Sequence, residues 1–233
     1  MSAHYFVSDA HIGAQPGRSE ARLLSFLKTI RNEAESVYLL GDLFEFWLEY
    51  RHAVPRHGFS LLSVLAEMHR QGTSISYLKG NHDFGLGEFL SRELGAVVAD
   101  ELDLTIDGRR VYLAHGDALD HGLVPRLFRG LMRSRVNRAL YSLLHPDLGI
   151  SLAHRIALAS RDLGAKPYLQ EAMARFAQDK LARGFDIVIL GHSHLPEIRR
   201  LGSGVYVNIG DWVQSFTYGR IMGGNVSLER FED

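Results

Sequence analysis

Short blocks that combine aspartate, asparagine and histidine recur along the chain, and each contains a side chain that can bind a metal ion. The blocks are Asp9-Ala10-His11, Gly41-Asp42, Gly80-Asn81-His82-Asp83, His115-Gly116-Asp117 and Gly191-His192-Ser193-His194. The chain contains no cysteine, so disulfides and thiolate metal sites are excluded. Imidazole and carboxylate ligands suit manganese, iron, zinc, cobalt or magnesium. The blocks therefore predict metal sites built from nitrogen and oxygen atoms.

Seven of these side chains are candidate ligands, which is too many for one ion of this kind: Asp9, His11, Asp42, Asn81, His115, His192 and His194. The number suits two ions that share one ligand, and Asp42 is the predicted bridge because a carboxylate has two oxygens. Two divalent cations about 3.5 to 4 Å apart activate water at neutral pH and neutralise charge on a phosphoryl group. The set therefore predicts hydrolysis of a phosphate ester or anhydride.

The elements that must position these side chains are short apolar strands that end where the blocks begin. Such runs occupy residues 5–7, 37–40, 75–78, 111–114 and 187–190. Strands buried on both faces have continuous apolar sequences, and open α/β sheets bind ligands at the carboxyl ends of their strands. Helical spacing of apolar residues at 21–30 and 61–68 separates the first three runs. The sequence therefore predicts an α/β fold in which the blocks converge on one sheet edge.

Residues 120–183 interrupt the strand pattern with helical periodicity, and strand signals return over 204–231. We expect a single domain over residues 1–233 that carries a helical cap insertion at about 120–183. In this insertion basic residues alternate with apolar ones, which indicates either a membrane-facing helix or an ordinary solvated face. The basic residues are Arg126, Arg129, Arg133, Arg135 and Arg138. The predicted substrate-binding residues are Asn81, Arg155, Arg161 and Lys166.

Composition and charge narrow the class of protein. The chain has 233 residues, of which 46% are hydrophobic and 23% charged, with a net charge of −1, so it is globular and no nucleic-acid partner is expected. No apolar run approaches the roughly 18 to 20 residues that span a bilayer. The N-terminus lacks the pattern of a signal peptide. We expect a cytoplasmic protein that touches a membrane surface at most and does not cross it.

In order and spacing, the five blocks resemble the full signature of the calcineurin-like metallophosphoesterases from Asp9 to His194. The resemblance implies a four-layer α/β/β/α sandwich. It implies that one metal is held by Asp9, His11, Asp42 and His194. It implies that a second metal is held by Asp42, Asn81, His115 and His192. His82 would donate a proton to the leaving oxygen or stabilise the phosphoryl charge, and Asp83 would orient the His82 imidazole. Asp117 and Asp211 are expected either beside ligands or as turn residues.

A narrower resemblance connects two blocks to the UDP-2,3-diacylglucosamine hydrolases of lipid A biosynthesis. These blocks are Gly41-Asp42-Leu43-Phe44-Glu45-Phe46-Trp47 and Asn81-His82-Asp83-Phe84. The insertion after His115-Gly116-Asp117 is similar to the lipid-binding cap of that group. The resemblance implies two manganese ions, attack on the α-phosphate by a metal-bridging hydroxide, and release of UMP and lipid X at the membrane surface. The better-known members carry arginine where this chain has His82, so the chain resembles a side branch with Gly-Asn-His-Asp.

Two other functions fit parts of the pattern. A general phosphodiesterase or nucleotide pyrophosphatase of the same superfamily is favoured by His82 and disfavoured by the cap. An inactive scaffold that binds metal and a protein partner is disfavoured by the complete ligand set. Turnover of soluble diesters and turnover of the lipid-linked nucleotide distinguish these possibilities.

Overall fold

The structure is a computed structural model, and it describes most of the chain outside the predicted insertion. The described residues are 2–13, 18–50, 53, 56–83, 85–122, 130, 134, 140–141, 143–145, 147–149, 151–152 and 167–232. The basic residues predicted to contact substrate or membrane lie outside them: Arg126, Arg129, Arg133, Arg135, Arg138, Arg155, Arg161 and Lys166. The boundaries of the insertion therefore stay a prediction.

Two β-sheets form the centre of the molecule. The first has six strands in the order β11-β10-β1-β2-β3-β4. Its strands are β1 (Ala3–Val7), β2 (Ala34–Leu39), β3 (Ser74–Leu78), β4 (Val97–Ala99), β10 (Thr217–Met222) and β11 (Asn225–Arg230). The second has five strands in the order β5-β6-β7-β9-β8. Its strands are β5 (Glu101–Ile106), β6 (Arg109–Ala114), β7 (Ile187–Leu190), β8 (Glu197–Leu201) and β9 (Gly204–Asn208).

Helices cover the outer faces of the two sheets. They are α1 (Arg18–Ile30), α2 (Phe59–Arg70), the short α3 (Phe89–Glu93) and α4 (Pro167–Ala182), together with a 3₁₀ turn at Asp117–Leu119. Strands β1 to β4 are parallel, and so are β6, β7 and β9. The carboxyl ends of parallel neighbours lie at the same edge, so each sheet offers one such edge for a site.

Successive side chains of the strands enter different layers, which explains why the strands are apolar throughout. On β1, Tyr5 and Val7 pack under α1 and α2, whereas Phe6 packs between the sheets. On β7, Val188 packs against α4 and Ile189 packs between the sheets. Three apolar layers therefore separate helix, sheet, sheet and helix. The predicted four-layer α/β/β/α order is confirmed.

None of the helices in the described part of the chain is both long enough and apolar enough to cross a bilayer.

Candidate metal centre

The five predicted blocks lie in the turns that follow β1, β2, β3, β6 and β7. Backbone hydrogen bonds join these turns directly. The N–H of Asp9 donates to the Gly41 carbonyl at 3.1 Å, and the N–H of His11 donates to the Asp42 carbonyl at 3.1 Å. The N–H of Gly191 donates to the His115 carbonyl at 3.0 Å. The turns of neighbouring strands are therefore fixed to each other before any side chain is considered.

Most of the predicted ligands have a backbone conformation that non-glycine residues rarely adopt. Seven non-glycine residues in the described chain have positive φ, and five of them are predicted ligands: Asp9 (53°), His11 (45°), Asp42 (53°), His192 (65°) and His194 (59°). Such conformations cost about 1–3 kcal/mol each and cluster at functional sites, where the surrounding fold enforces them. The strain is thus concentrated at the predicted ligands.

Asp9, His11 and His194 form the first group of potential ligands. One ligand atom from each lies within 4.8 Å of the others. Oδ2 of Asp9 accepts hydrogen bonds from Ser8 Oγ at 2.5 Å and from the His192 N–H at 2.8 Å. Oδ1 of Asp9 is left facing Nε2 of His194 at 3.2 Å and Nε2 of His11 at 3.8 Å. A serine hydroxyl and a backbone N–H thus occupy one carboxylate oxygen and leave the other facing the group.

Asp42, His115 and His192 form the second group, again with ligand atoms within 4.8 Å of one another. Nε2 of His115 lies 3.3 Å from Oδ2 of Asp42 and 3.3 Å from Oδ1 of Asn81. Nδ1 of His115 is 2.7 Å from the Leu40 carbonyl oxygen, which can only accept, so Nδ1 carries the proton. When the ring is neutral, the lone pair therefore lies on Nε2 and points into the group.

Two buried atoms support the presence of cations at these groups. Nε2 of His192 and Oδ1 of Asp9 are both inaccessible to solvent and have no well-formed hydrogen bond among the described residues. Buried polar atoms without partners are rare because each costs free energy. Each of the two atoms belongs to a residue of a different ligand group, and an imidazole nitrogen and a carboxylate oxygen are suitable ligands for divalent cations. The donor set therefore fits the metal that the sequence predicted.

The protonation states follow from burial and from the opposite charges packed together. Burial raises the pKa of Asp42, but the charge of His115 outweighs it and holds the pKa well below its usual value. Burial lowers the pKa of His192 to about 4. Burial likewise lowers the pKa of His11. Burial also disfavours charge on His115 and His194, but the carboxylates of Asp42 and Asp9 outweigh it and raise the pKa of both histidines. Metal binds ionised carboxylates and neutral imidazoles, so a bound cation would displace protons from these two histidines.

His82 and Asp83 lie beside the metal groups, and both contact the turns that carry the potential ligands. Nδ1 of His82 is 2.8 Å from the backbone carbonyl oxygen of Glu45. The carboxylate of Asp83 accepts from the N–H of Gly80 at 2.8 Å, the N–H of Asp42 at 3.1 Å and the hydroxyl of Tyr77 at 2.7 Å. A role for Asp83 in orienting the His82 imidazole stays a prediction. The Asp83 carboxylate accepts from two backbone donors and one hydroxyl, and it thereby stabilises the turns that carry Asp42 and Asn81.

Three further polar residues support the centre: Asp211, which the sequence analysis considered, and Asn208 and Glu45, which it did not identify as functional. Asp211 takes both roles considered for it: Oδ1 accepts three backbone N–H groups of its turn, and Oδ2 lies 3.9 Å from Nδ1 of His194. Asn208 donates to the Gly191 carbonyl at 2.8 Å and accepts from Gly210, which ties the histidine turn to β9. Asn208 ends a parallel strand, a signal that could have identified it. Glu45 is the third.

The aromatic residues after Asp42 anchor neighbouring segments. Phe44 and Trp47 pack in the core beneath α2, with ring centroids 4.5 Å apart. Phe46 instead meets the ring of Tyr141 at 5.7 Å, so it connects the centre to the chain after residue 140. Leu140, Leu143 and Leu148 in that region are 62%, 82% and 65% exposed. An apolar surface therefore lies on the segment that Phe46 contacts.

Comparison with known proteins connects this geometry to a family. Residues 3–224 match the calcineurin-like phosphoesterase superfamily domain. The chain is 36% identical to a UDP-2,3-diacylglucosamine hydrolase of Porphyromonas gingivalis over 98% of this chain and 97% of the relative. It is 31% identical to the enzyme of that name from Stenotrophomonas maltophilia over 96% of each chain. An archaeal phosphodiesterase structure superposes with a TM-score of 0.53 at 15% identity, covering 97% of this chain and 98% of that one, which supports the fold.

Proposed function

Because the chain belongs to the calcineurin-like phosphoesterase superfamily and is a hydrolase, we propose that it cleaves the pyrophosphate of UDP-2,3-diacylglucosamine to UMP and lipid X. The observation that carries this proposal is the match to a hydrolase of that substrate over 98% of the chain, at 36% identity. The two groups of potential metal ligands supply the chemistry that such a cleavage needs. The reaction belongs to lipid A biosynthesis.

The proposed cofactors are two divalent ions, with manganese first and iron, zinc, cobalt or magnesium as alternatives. Asp9, His11 and His194 would hold one ion, and Asn81, His115 and His192 the other, with Asp42 shared between them. When bound, such ions supply a nucleophile from water at neutral pH and neutralise charge on the phosphoryl oxygens. The left-handed turns and the backbone bonds to Asp9 hold the ligand atoms in place before an ion arrives. That preorganisation supports binding of a pair of ions.

His82 is the proposed proton donor. Its Nδ1 lies 2.8 Å from the Glu45 carbonyl oxygen, which can only accept, so Nδ1 carries a proton. Nε2 is then the nitrogen available to deliver a second proton to the leaving oxygen. General acid catalysis of this kind contributes about 10²- to 10⁴-fold to a rate. Asp83 acts indirectly, because its carboxylate accepts hydrogen bonds from the backbone N–H groups of Asp42 and Gly80.

The apolar side chains after residue 140 support a lipid-linked substrate. Leu140, Leu143 and Leu148 are exposed next to the segment that Phe46 anchors. Exposed apolar groups that are close together mark ligand or membrane contacts. We place the acyl chains against this proposed cap, roughly residues 120–183, and the protein at the cytoplasmic face of the membrane. Roles for Arg155, Arg161 and Lys166 on the phosphates stay predictions.

The test is a comparison of two substrates with manganese-loaded protein. UDP-2,3-diacylglucosamine and bis-p-nitrophenyl phosphate are supplied at matched concentrations, and kcat/KM is measured for each. We expect efficient UMP release from the lipid. Turnover of the simple diester alone would contradict the lipid assignment and support the general phosphodiesterase, which His82 favours. Two bound ions without turnover of either compound would indicate a scaffold.

A further inference from the structure

Glu45 contacts two histidines of the centre through two different groups. It lies three residues after Asp42, and only 1% of its side chain is exposed. Its carboxylate Oε2 is 3.1 Å from Nδ1 of His11, and its backbone carbonyl is 2.8 Å from Nδ1 of His82. The two imidazole rings meet edge to face with centroids 4.8 Å apart. One residue therefore touches a predicted ligand and the proposed proton donor.

The contact with His11 determines which of its nitrogens can bind a cation. A neutral imidazole has one N–H and one lone pair, and an ionised carboxylate only accepts hydrogen bonds. Nδ1 of His11 makes no well-aligned hydrogen bond, but the carboxylate 3.1 Å away can only accept, so the contact favours the tautomer with the proton on Nδ1. The lone pair lies on Nε2, which is 3.8 Å from Oδ1 of Asp9 and 3.3 Å from Nε2 of His194. A carboxylate partner also raises the basicity of a ligating imidazole.

We propose that Glu45 is a positioning residue that fixes the tautomer and ring orientation of His11, and thereby sets the affinity of the cation seat formed by Asp9, His11 and His194. The inference rests on the proposed two-ion function. A competing role is direct ligation, because Glu45, His11 and His82 also place one potential ligand atom each within 4.8 Å of one another. Direct ligation at this third group predicts a third bound ion, whereas the positioning role predicts two.

The variants are chosen so that the support of His82 is retained. Glu45→Ala and Glu45→Gln both keep the backbone carbonyl that His82 contacts, so only the side chain is tested. The amide oxygen of glutamine can accept from Nδ1 of His11, whereas alanine offers no acceptor. Glu33→Gln is the matched control, because Glu33 accepts a hydrogen bond from the buried Tyr5 far from the centre. Weaker metal binding in Glu33→Gln as well would indicate a general effect of removing a negative charge.

The first measurement is ¹⁵N NMR of the histidine rings in metal-free protein. We expect His11 to carry its proton on Nδ1 in wild type and in Glu45→Gln, and to lose that preference in Glu45→Ala. A proton on Nε2 in the wild type would overturn the proposal. This measurement needs neither metal nor turnover. If Glu45→Ala does not fold, the wild-type tautomer still tests the proposal.

The second measurement is manganese titration by calorimetry. We expect two ions in wild type, and in Glu45→Ala one site weakened by about 10- to 100-fold. Glu45→Gln and Glu33→Gln should stay within a few-fold of wild type. Equal affinities in Glu45→Ala and wild type, or a third wild-type ion that Glu45→Ala loses, would overturn the proposal. Fewer than two wild-type ions combined with the expected tautomer would contradict the two-ion function and leave the contact itself supported.

Discussion

At the scale of single residues, the centre depends on which oxygen of each carboxylate accepts hydrogen bonds from its surroundings. Oδ2 of Asp9 accepts from the Ser8 hydroxyl and the His192 N–H, and Oδ1 of Asp42 accepts from the His82 N–H at 2.8 Å. The remaining oxygens face histidine nitrogens. The sequence could name these ligands by type and spacing. It could not indicate their orientation, because the donors come from turns distant in the chain.

Replacing His82 tests its role as proton donor. We expect His82→Ala to lower kcat by about 10²- to 10⁴-fold while two manganese ions remain bound. Turnover and metal content, the latter by elemental analysis, are measured on the same preparation. The control is His145→Ala, since the His145 side chain is 69% exposed. Loss of metal in parallel with activity would show that His82 is a ligand or a structural residue.

Asp83 gives a prediction for pH. Burial, reinforced by the charge of Asp42, raises its pKa to about 6, whereas an unfolded aspartate has a pKa of about 3.9. The folded state therefore binds this proton more tightly. The resulting stabilisation is complete below about pH 4 and is lost as the pH rises through about 6.

The Asp83→Asn variant keeps the hydrogen-bonding shape but cannot ionise. In metal-free protein, we expect its free energy of unfolding to rise relative to wild type by up to about 3 kcal/mol between pH 4 and pH 7, since each pKa unit corresponds to about 1.4 kcal/mol. Urea denaturation at a series of pH values measures the difference. Parallel pH profiles for the two proteins would contradict the raised pKa.

At the scale of elements, the sequence predicted the strands that carry the centre and missed the edge strands β4, β5 and β8. The runs before the five blocks became β1, β2, β3, β6 and β7 because burial on both faces makes them continuously apolar. Strand β5 alternates charged and apolar residues, Glu101-Leu102-Asp103-Leu104, since only one face is buried at the edge of its sheet. The left-handed turns were also not predictable, because histidine and aspartate do not require them.

The turn after β2 offers a test of close packing between elements. A Cβ at Gly41 would lie 2.7 Å from the Gly80 nitrogen and 2.8 Å from Nδ1 of His115, and Gly41 has φ of +84°. Gly72 has φ of +104° with nothing near its Cβ position, so it is a matched control for backbone strain. We expect backbone strain to cost each alanine variant about 1–2 kcal/mol of stability, and Gly41→Ala to lose more because its Cβ would clash with the Gly80 backbone. Only Gly41→Ala should also lose metal binding and turnover, and equal losses in Gly72→Ala would contradict this.

At the scale of the whole molecule, the centre joins the two sheets. Asp9, His11 and Asp42 come from the first sheet, whereas His115, His192 and His194 come from the second. Each of the two groups assigned to the proposed ions contains residues from both sheets: Asp9, His11 and His194 in one, and Asp42, His115 and His192 in the other. Cations held by these groups would therefore cross-link the sandwich at one edge. The sequence predicted this convergence, although it could not assign strands to separate sheets.

This cross-link predicts an effect of metal on stability. A ligand at 100 times its dissociation constant stabilises the folded state by about 2.7 kcal/mol for each site. We expect manganese to raise the thermal midpoint of the wild type and to slow hydrogen exchange at the carboxyl ends of β1, β2, β6 and β7 together. Asp42→Ala should show neither effect, since it removes the shared ligand. Protection confined to one sheet would contradict a centre that spans both.

The most direct test of the proposed reaction is hydrolysis of UDP-2,3-diacylglucosamine by manganese-loaded protein in ¹⁸O-water, with mass spectrometry of both products. Attack of water on the α-phosphorus places one ¹⁸O atom in UMP and none in lipid X, and that is the predicted result. Label in lipid X would contradict the assigned position of attack. Absence of UMP from an otherwise active, two-ion protein would contradict the substrate itself.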